Sequence, residues 1–257
     1  MTLYFESLLL VVIGGALLWL YSVIIKNASI VDLFWGIGFV LVNLFLWLYS
    51  PADSLRQLIV TVLVTVWGVR LSAFLTWRNF GKPEDFRYQK FRADYGAHRY
   101  WWFSFFQVFL LQGVILWIVA LPLAGVHLFS SSNTLSIFDY IGMAFWLVGF
   151  IFEAGGDFQM ARFKKRRISA DEVLNTGLWR YTRHPNYFGD AMIWWGFTFF
   201  GIASGFYWGI IGAVLMNFLL VKISGVAMLE RTLKTEKPKY AEYIRRTNAF
   251  IPWFPKA

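Results

Sequence analysis

The chain has 257 residues, of which 58% are hydrophobic and only 15% are charged, and its formal net charge is +9. Soluble domains are closer to half apolar and a quarter charged, so this composition argues against a soluble fold and indicates a membrane protein. The sequence contains no cysteine, which excludes disulfide bonds, iron–sulfur clusters and thiolate catalysis. The positive charge does not require a nucleic-acid partner, because the cytoplasmic loops of membrane proteins collect Lys and Arg.

Apolar runs as long as a membrane-spanning helix recur along the chain. We therefore predict an all-α, polytopic membrane bundle of about seven transmembrane helices. Strands are not expected, because the runs are continuous rather than alternating. The first run lacks a basic flank and a small-residue cleavage site, which predicts a retained helix rather than a signal peptide. The predicted spans lie near 7–25, 30–50, 56–77, 102–128, 137–160, 187–203 and 206–229.

The polar segments between these runs differ in charge. The segment SSSNTLS at 130–136 has no Lys or Arg, whereas the segments 78–100, 162–186 and 230–257 are rich in both. The positive-inside rule makes these three segments cytosolic loops of a single transmembrane domain, residues 1–257, with a cytoplasmic C-terminus. Because all three face the same side, we expect them to meet in one cofactor pocket above the bundle.

The stretch LWRYTRHPNYFGDAMIWWGF at 178–197 joins a polar loop to an apolar helix. Residues 186, 190 and 194 recur at a spacing of four and share one helical face, and ionisable groups within a span usually face a cavity or a partner. A local alternative is an ordinary helix start at Pro185, with Asp190 paired to Arg183. The candidate binding residues of this stretch are Arg183, His184, Asn186, Tyr187, Asp190 and Trp194.

A second cluster lies in WGVRLSAFLTWRNFGKPEDFRY at 67–88. Guanidinium groups bind phosphate oxygens, and a tyrosine ring can stack on a base. The alternative is a cationic rim at the membrane surface, which does not explain Asn79, Glu84, Asp85 or Tyr88. The candidate cofactor-binding residues of this cluster are Arg70, Arg78, Asn79, Lys82, Arg87 and Tyr88.

Three acidic residues lie near the ends of predicted spans. Glu153 and Asp157 share one helical face and could accept hydrogen bonds from an amide or a ribose, or pair with Arg162 or Lys164. Asp32 is the lone acid within the first two spans. Apolar surroundings should raise its pKa and allow it to donate a proton, whereas helix capping is the alternative role.

Several familiar sites have no signal in the sequence. Neither a Gly-rich dinucleotide fingerprint nor a P-loop occurs, and no nucleophile elbow of a hydrolase is present. The three histidines, at positions 98, 127 and 184, lack metal-ligand spacing, so we predict no metal site.

The motifs NTGLWRYTRHPNYFGD, WGVRLSAFLTWRNFGKPEDFRY and LERTLKTEKPKYAEYIRRTNAFIPWFP resemble the steroid 5α-reductase superfamily, and more closely its bacterial membrane branch, DUF1295. The resemblance covers nearly the whole chain and is strongest from Glu153 onward. It implies a polytopic membrane enzyme that uses NADPH to reduce a carbon–carbon double bond conjugated to a ketone. It further implies a lipid substrate such as a 3-oxo-Δ4 steroid, cofactor-binding cytosolic loops and a location in the bacterial inner membrane.

The resemblance also assigns residues. Asn186, Gly189, Asp190 and Trp194 fall in the family signature for cofactor and substrate. Asp157 falls on a cofactor-contacting aspartate, and Glu153 lies near the family's asparagine. The remaining matches are less close: Arg70 and Lys164 fall on arginine positions, Asn79 and Lys82 match an N-x-G-[RK]-P stretch, and Glu230 stands where the family has a histidine.

The catalytic positions depart from the family pattern. The eukaryotic enzymes use a Gln–Glu pair and a tyrosine for proton delivery. In this sequence Val31–Asp32 falls at the pair and Trp67 at the tyrosine, so Asp32 and Trp67 are the catalytic candidates.

The motif RHPNYFG is also shared with membrane methyltransferases of the isoprenylcysteine carboxyl type, which bind S-adenosylmethionine. The segment RNFGKPEDFRY favours the reductase, because its cations suit a pyrophosphate and a 2′-phosphate that S-adenosylmethionine lacks. A lipid-binding membrane protein without enzymatic activity is the third possibility.

Overall fold

A computed structural model describes residues 1–50, 53–130, 132–169, 171–223, 226, 230 and 240–256. Within these ranges the regular structure is helical and contains no strand, which confirms the prediction of an all-α membrane bundle. Four of the described helices are long and apolar enough to cross a membrane: Thr2–Ile25, Leu55–Asn79, His98–Val119 and Ile137–Arg166. Trp35–Tyr49 and Tyr207–Ile223 are shorter apolar helical segments. The count of seven stays a prediction, because part of the span at 206–229 lies outside the described residues.

The helices are numbered here in chain order through the described residues. They are α1 (Thr2–Ile25), α2 (Ile30–Leu33), α3 (Trp35–Tyr49), α4 (Leu55–Asn79), α5 (Phe86–Tyr95), α6 (Ala97–Ser104), α7 (Leu111–Val119), α8 (Leu121–Phe129), α9 (Ile137–Arg166), α10 (Pro185–Ala203), α11 (Ile210–Phe218) and α12 (Tyr240–Arg246). Wider π-helical turns cover Phe105–Leu110 and Leu219–Ile223, and tighter 3-10 turns cover Gly177–Arg180 and Tyr207–Gly209.

Two predicted spans differ from the observed helices. The run at 102–128 is divided at Ala120, where α7 ends and α8 begins with a proline in its first turn. Proline lacks a backbone N–H and fits a first turn better than a helix interior, which explains the break. The run at 30–50 is also divided, because the short α2 ends at Leu33 and α3 starts at Trp35.

The chain forms two compact units, and the prediction of a single domain stays a prediction. The N-terminal unit comprises Met1–Leu135 and Gly201–Gly209, and the C-terminal unit comprises Ser136–Phe200 and Ile210–Ala257.

Glycines bring α3 and α4 of the N-terminal unit into close contact. A Cβ atom on Gly36 would lie 2.3 Å from the carbonyl oxygen of Gly68, so neither helix can carry a side chain there. The Ile37 N–H donates a hydrogen bond to Ser72 Oγ at 3.0 Å beside this crossing. Small residues at helix crossings are typical of membrane bundles, where close backbone packing replaces the hydrophobic effect.

Glycine also brings α9 and α10 of the C-terminal unit into close contact. A Cβ atom on Gly189 would lie 2.3 Å from the backbone nitrogen of Glu153 and 2.4 Å from the carbonyl oxygen of Gly149. This contact brings the first turns of α10 against the part of α9 that carries Glu153 and Asp157. It therefore positions the polar side chains described below.

Candidate functional site

A buried ionic cluster lies in the C-terminal unit, at the loop that precedes α10. Arg183 donates from Nε to Glu230 Oε1 at 2.7 Å and from Nη2 to Glu230 Oε2 at 3.0 Å, a bidentate pair. His184 Nε2 lies 3.3 Å from the same Oε1, and the Tyr240 hydroxyl donates to it at 3.1 Å. Arg183 and Glu230 are each only 8% exposed, so these charges interact with little screening by water.

Glu230 has a strongly shifted pKa in this cluster. Burial by itself would raise the pKa of the carboxyl group, but hydrogen bonds from His184 and Arg183, with the charge of Arg183, lower it to about 2. The pKa of the Tyr240 hydroxyl is raised, first by burial and then by the charge of Glu230. Glu230 is therefore a carboxylate, and Tyr240 a neutral phenol, at neutral pH.

We expect the stability of the protein to depend on pH through Glu230. A carboxyl group with a lowered folded-state pKa stabilises the fold fully above its ordinary value of 4.5, and loses this contribution as the pH falls through about 2. The difference in unfolding midpoint between the wild type and Glu230→Gln should thus shrink below about pH 4.5, because protonated glutamate resembles glutamine. Thermal unfolding by circular dichroism measures this difference, and a constant value down to about pH 2.5 would contradict the assignment.

The cluster fastens the C-terminal segment to the loop. Nη1 of Arg183 donates to the carbonyl oxygens of Ile244 and Thr247, and its backbone N–H donates to Asn248 O at 2.9 Å. Further along, the backbone N–H of Trp253 donates to Tyr181 O at 2.9 Å. The loop and the residues after α12 are therefore joined by both side-chain and backbone bonds.

These contacts show where the structure places several of the predicted binding residues. Arg183, His184 and Glu230 were predicted to bind cofactor, but the guanidinium bonds of Arg183 end on protein atoms and His184 is 2% exposed. Arg183, for which a pairing with Asp190 was the local alternative, forms an ion pair with Glu230. Tyr187 stacks its ring on His184 at a centroid distance of 5.6 Å. Arg183, His184 and Glu230 thus hold the C-terminal segment in this structure, and their binding roles stay predictions.

A second group of polar residues lies where α9 and α10 cross. Asn186 donates from Nδ2 to Asp157 Oδ1 at 3.2 Å, and both Asp157 and Glu153 are buried on one face of α9. Asp190 follows one turn later on α10, and the exposed Lys164 follows Asp157 by two turns on α9. We call Glu153, Asp157, Lys164, Asn186 and Asp190 the α9–α10 polar face.

The polar face combines three carboxylates, an amide and a lysine on rigid helices. Carboxylates accept hydrogen bonds from amides and hydroxyls, an amide both donates and accepts, and a lysine pairs with a phosphate. Trp194, one turn beyond Asp190, is completely buried within the unit. The prediction that residues 186, 190 and 194 lie on one helix is confirmed, whereas their binding roles stay predictions.

In the N-terminal unit, acidic residues fasten the first basic loop to the turn after α1. The Ala28 N–H donates to Glu84 Oε1 at 2.7 Å, and the Asp85 N–H donates to Ser29 Oγ at 2.7 Å. Arg92 pairs with Glu84 at 2.9 Å. Glu84 and Asp85, which a cationic rim did not explain, therefore hold this loop in place.

Docking of the loop produces a chain of hydrogen bonds that we call the Tyr88 relay. Arg87 Nη2 donates to Asp32 Oδ2 at 2.7 Å, and the Tyr88 hydroxyl donates to Asp32 Oδ1 at 2.8 Å. Gln112 Nε2 in turn donates to the Tyr88 hydroxyl oxygen at 3.1 Å. The prediction that Asp32 is a lone carboxylate in apolar surroundings is therefore wrong, because both of its oxygens accept hydrogen bonds.

The relay also changes the interpretation of Arg87 and Tyr88. Burial, and then the charge of Asp32, raise the pKa of the Tyr88 hydroxyl, which keeps its proton. Burial would lower the pKa of Arg87, but its bond to Asp85 and the charge of Asp32 raise it. Tyr88 is 3% exposed and is not positioned to stack on a base, and two carboxylates offset the charge of Arg87. Both residues belong to the relay in this structure, and their cofactor role stays a prediction.

The other candidates of this unit are four polar residues in or just after α4, and one tryptophan within α4. Arg70 and Arg78 both lie over the Phe74 ring, at 5.4 and 5.8 Å from its centroid. Arg78 and Lys82 are exposed, and Asn79 is the last residue of α4. Trp67, a predicted catalytic residue, is 0% exposed and packs on Phe39 at 5.7 Å, because α3 and α4 approach so closely. The structure places Trp67 in the core, and its catalytic role stays a prediction.

An apolar cavity of about 100 Å³ lies within the N-terminal unit, between α1, the segment 31–42 and the segment 109–116. Its wall consists mainly of glycines and of aliphatic and aromatic side chains. Gln112, the end of the Tyr88 relay, is the lining residue with an amide side chain. Sequence analysis missed Gln112, although an amide within the apolar run FFQVFLLQGVILW carries the signal of a polar residue inside a span.

These features define a multi-pass helical membrane protein with a buried polar face in one unit and an apolar cavity with one amide in the other. Residues 18–247 match DUF1295, described as a protein of unknown function, and the chain belongs to this family. The family predicted from the motifs is therefore confirmed.

Individual proteins are also similar to this chain. An uncharacterised protein of Schizosaccharomyces pombe is 30% identical over 280 residues, which cover 96% of this chain and 78% of the yeast protein. The 3-oxo-5-alpha-steroid 4-dehydrogenase 1 of Homo sapiens is 27% identical over 113 residues, 44% of this chain and 40% of the human protein. The Mus musculus protein of the same name is 28% identical over 112 residues, 44% of this chain and 41% of the mouse protein. The match thus spans about two fifths of these dehydrogenases and shows a distant similarity to them.

Proposed function

We propose that the protein is an NADPH-dependent membrane reductase of a carbon–carbon double bond conjugated to a ketone, in a 3-oxo-Δ4 steroid or a similar lipid. The observation that carries the proposal is the Asn186–Asp157 hydrogen bond, which joins two positions that the motifs assign to cofactor binding. The distant similarity to 3-oxo-5-alpha-steroid 4-dehydrogenase 1 supports it. The proposal includes a bacterial inner membrane and a cytoplasmic C-terminus, which follow from loop charge and from the motifs.

The α9–α10 polar face fits the chemical groups of NADPH. The carboxamide of the nicotinamide both donates and accepts hydrogen bonds, as do the amide of Asn186 and the carboxylate of Asp157 taken together. Ribose hydroxyls donate to carboxylates such as Glu153, and Lys164 supplies a cation for a phosphate. For Arg70, Arg78, Asn79 and Lys82, a contribution to the same cofactor stays a prediction.

NADPH, when bound, supplies the hydride for the reduction. The role of the protein is to hold the cofactor, to orient the carbonyl group of the substrate and to exclude water. Asp32 accepts hydrogen bonds at both oxygens, so we propose that it orients Tyr88 rather than donating the proton itself. A group that stabilises the developing enolate oxygen must be a hydrogen-bond donor in this region.

A methyltransferase that uses S-adenosylmethionine is the second candidate, since it shares the motif RHPNYFG. Arg183 and His184 of this motif belong to the buried ionic cluster, which holds the C-terminal segment. The shared motif therefore indicates a shared way of packing this segment and does not by itself favour a methyl donor. Lipid binding without catalysis is the third candidate.

Asn186→Ala is expected to weaken NADPH binding by roughly tenfold, the effect of losing a hydrogen bond to a charged group. Isothermal titration of the purified protein with NADPH, NADH and S-adenosylmethionine measures this, and Asn133→Ala, at an exposed position, is the matched control. NADPH-dependent reduction of progesterone completes the test. Binding of S-adenosylmethionine without NADPH would establish the methyltransferase instead, and binding of neither would leave lipid binding.

A further inference from the structure

We propose that the apolar cavity of the N-terminal unit binds the ring-sized, carbonyl-bearing end of a membrane-soluble ligand, and that Gln112 donates the hydrogen bond to that carbonyl. We call it the Gly14 cavity, after the lining residue beside its open space. Tyr88, Asp32 and Arg87 act as positioning residues that fix the orientation of the Gln112 amide. The inference rests on the proposed reductase function only in identifying this ligand with the substrate.

Gly14 is the first observation, because packing does not require a glycine there. A Cβ atom on Gly38 would lie 2.5 Å from Leu116 Cδ1, and one on Gly113 would lie 2.9 Å from Val11 Cγ1. A Cβ atom on Gly14 would meet no atom within 4 Å, and Gly14 is not among the positive-φ glycines of the described residues. Glycine in a helix interior is less favourable than alanine, so the position is open for a reason other than folding.

The size of the cavity limits what it can hold. Its volume is about 100 Å³, and an engineered protein cavity of about 150 Å³ holds one benzene molecule. The cavity therefore takes at most one ring or a short branch and does not enclose a whole steroid or a long acyl chain. The rest of a lipid ligand would extend beyond the cavity.

The direction of the hydrogen bonds in the Tyr88 relay determines which group of the Gln112 amide is available to a ligand. The carboxylate of Asp32 can only accept, so the Tyr88 hydrogen points to Asp32 and the Tyr88 oxygen accepts from Gln112 Nε2. This fixes which end of the Gln112 amide faces Tyr88. The amide nitrogen carries a second N–H, which is the donor that we assign to the ligand.

The surroundings select a neutral ligand group. The wall beside Gln112 is apolar, and burial of an unpaired charge there would be strongly unfavourable. A carbonyl oxygen needs one donor and carries no charge, so a single amide N–H satisfies it. The chemistry that fits is an apolar ring with a ketone.

The test uses two fluorinated rings that differ only in the ketone, 4,4-difluorocyclohexanone and 1,1-difluorocyclohexane. Binding to the purified full-length protein in detergent is followed by ¹⁹F NMR. The wild type should bind 4,4-difluorocyclohexanone roughly tenfold more tightly than 1,1-difluorocyclohexane, which is the effect of one hydrogen bond in an apolar site. Failure of the wild type to bind either ring, or equal binding of both, would overturn the proposal.

Four variants separate the parts of the site. Gly14→Leu should abolish binding of both rings by filling the cavity, and its Cβ clashes with nothing, so the fold should persist. Leu17→Phe adds bulk to the exposed side of the same helix and should bind both rings as the wild type does. Gln112→Leu should still bind both rings but should lose the preference for the ketone. Tyr88→Phe removes the hydroxyl that accepts from Gln112 and orients its amide, and should lose part of that preference.

Specific results would refute each assignment. Unchanged binding to a folded Gly14→Leu variant would exclude the cavity, and an unchanged ketone preference in Gln112→Leu would exclude Gln112 as the contact. Neither measurement needs NADPH or turnover, so ring binding in a protein that reduces no enone would refute the proposed function alone. Enone reduction with an unchanged KM in Gly14→Leu would refute the cavity alone.

Discussion

Glu230→Ala is expected to lower the free energy of unfolding by about 3–5 kcal/mol, the cost of removing one partner from a buried ion pair. The loss is large because three side chains depend on this carboxylate. Arg183 would retain a buried charge, while His184 and Tyr240 would each lose a hydrogen bond. The C-terminal segment should loosen as well, because Arg183 also holds Thr247 and Ile244.

Chemical unfolding in detergent, together with limited proteolysis of the segment 240–256, measures both effects. Glu242→Ala is the matched control, because Glu242 pairs with Arg246 at 3.5 Å with both side chains about 60% exposed. Exposed pairs of this kind contribute about 0.3–0.5 kcal/mol, so the control should unfold almost as the wild type does. Equal stability of the two variants would refute the cluster, and Glu230→Gln should lie between them because it keeps hydrogen-bonding capacity without the charge.

The sequence predicted the helices well because the membrane imposes a length and a composition on them. The run at 56–77 became α4 with little change, since its ends carry a serine cap and polar residues. The run at 102–128 was wrongly taken as one span, because Pro122 fits an apolar run by composition but starts a new helix by geometry.

The candidate site was predictable where the signal is local. Asn186 and Asp190 are four residues apart, and helix periodicity alone places them together. Glu230 and Arg183 are 47 residues apart, and nothing in periodicity indicates that a buried guanidinium will reach that carboxylate. Arg87 and Arg183 were therefore assigned to a cofactor, although both form internal ion pairs.

Asp32 illustrates the same difficulty. It is 55 residues from Arg87 and 56 from Tyr88, and only the docking of the first basic loop brings them together. A carboxylate that is alone in the sequence is thus paired in the fold. Its proposed role changes from a proton donor to a group that orients another side chain.

Asp32→Asn is expected to lower kcat/KM for an enone by about 10²-fold, the effect of misplacing a group by roughly 1 Å, and to leave NADPH affinity within about twofold. The substitution keeps the shape of the side chain and removes its charge. Arg87 can only donate, so the new amide should turn its oxygen to Arg87 and its nitrogen to Tyr88. The Tyr88 hydrogen must then point toward Gln112, which reverses the relay and rotates the amide.

Three controls separate this account from direct proton donation by Asp32. Asp94→Asn, at an exposed residue of α5 paired with Lys90, should turn over progesterone as the wild type does. Tyr88→Phe should lose a similar factor, and the double variant should be no worse than either single one, because residues that act as a unit are not additive. If Asp32→Asn loses turnover while Tyr88→Phe keeps full activity, Asp32 is itself the acid; if Asp32→Asn keeps the wild-type rate, Asp32 only fastens the loop.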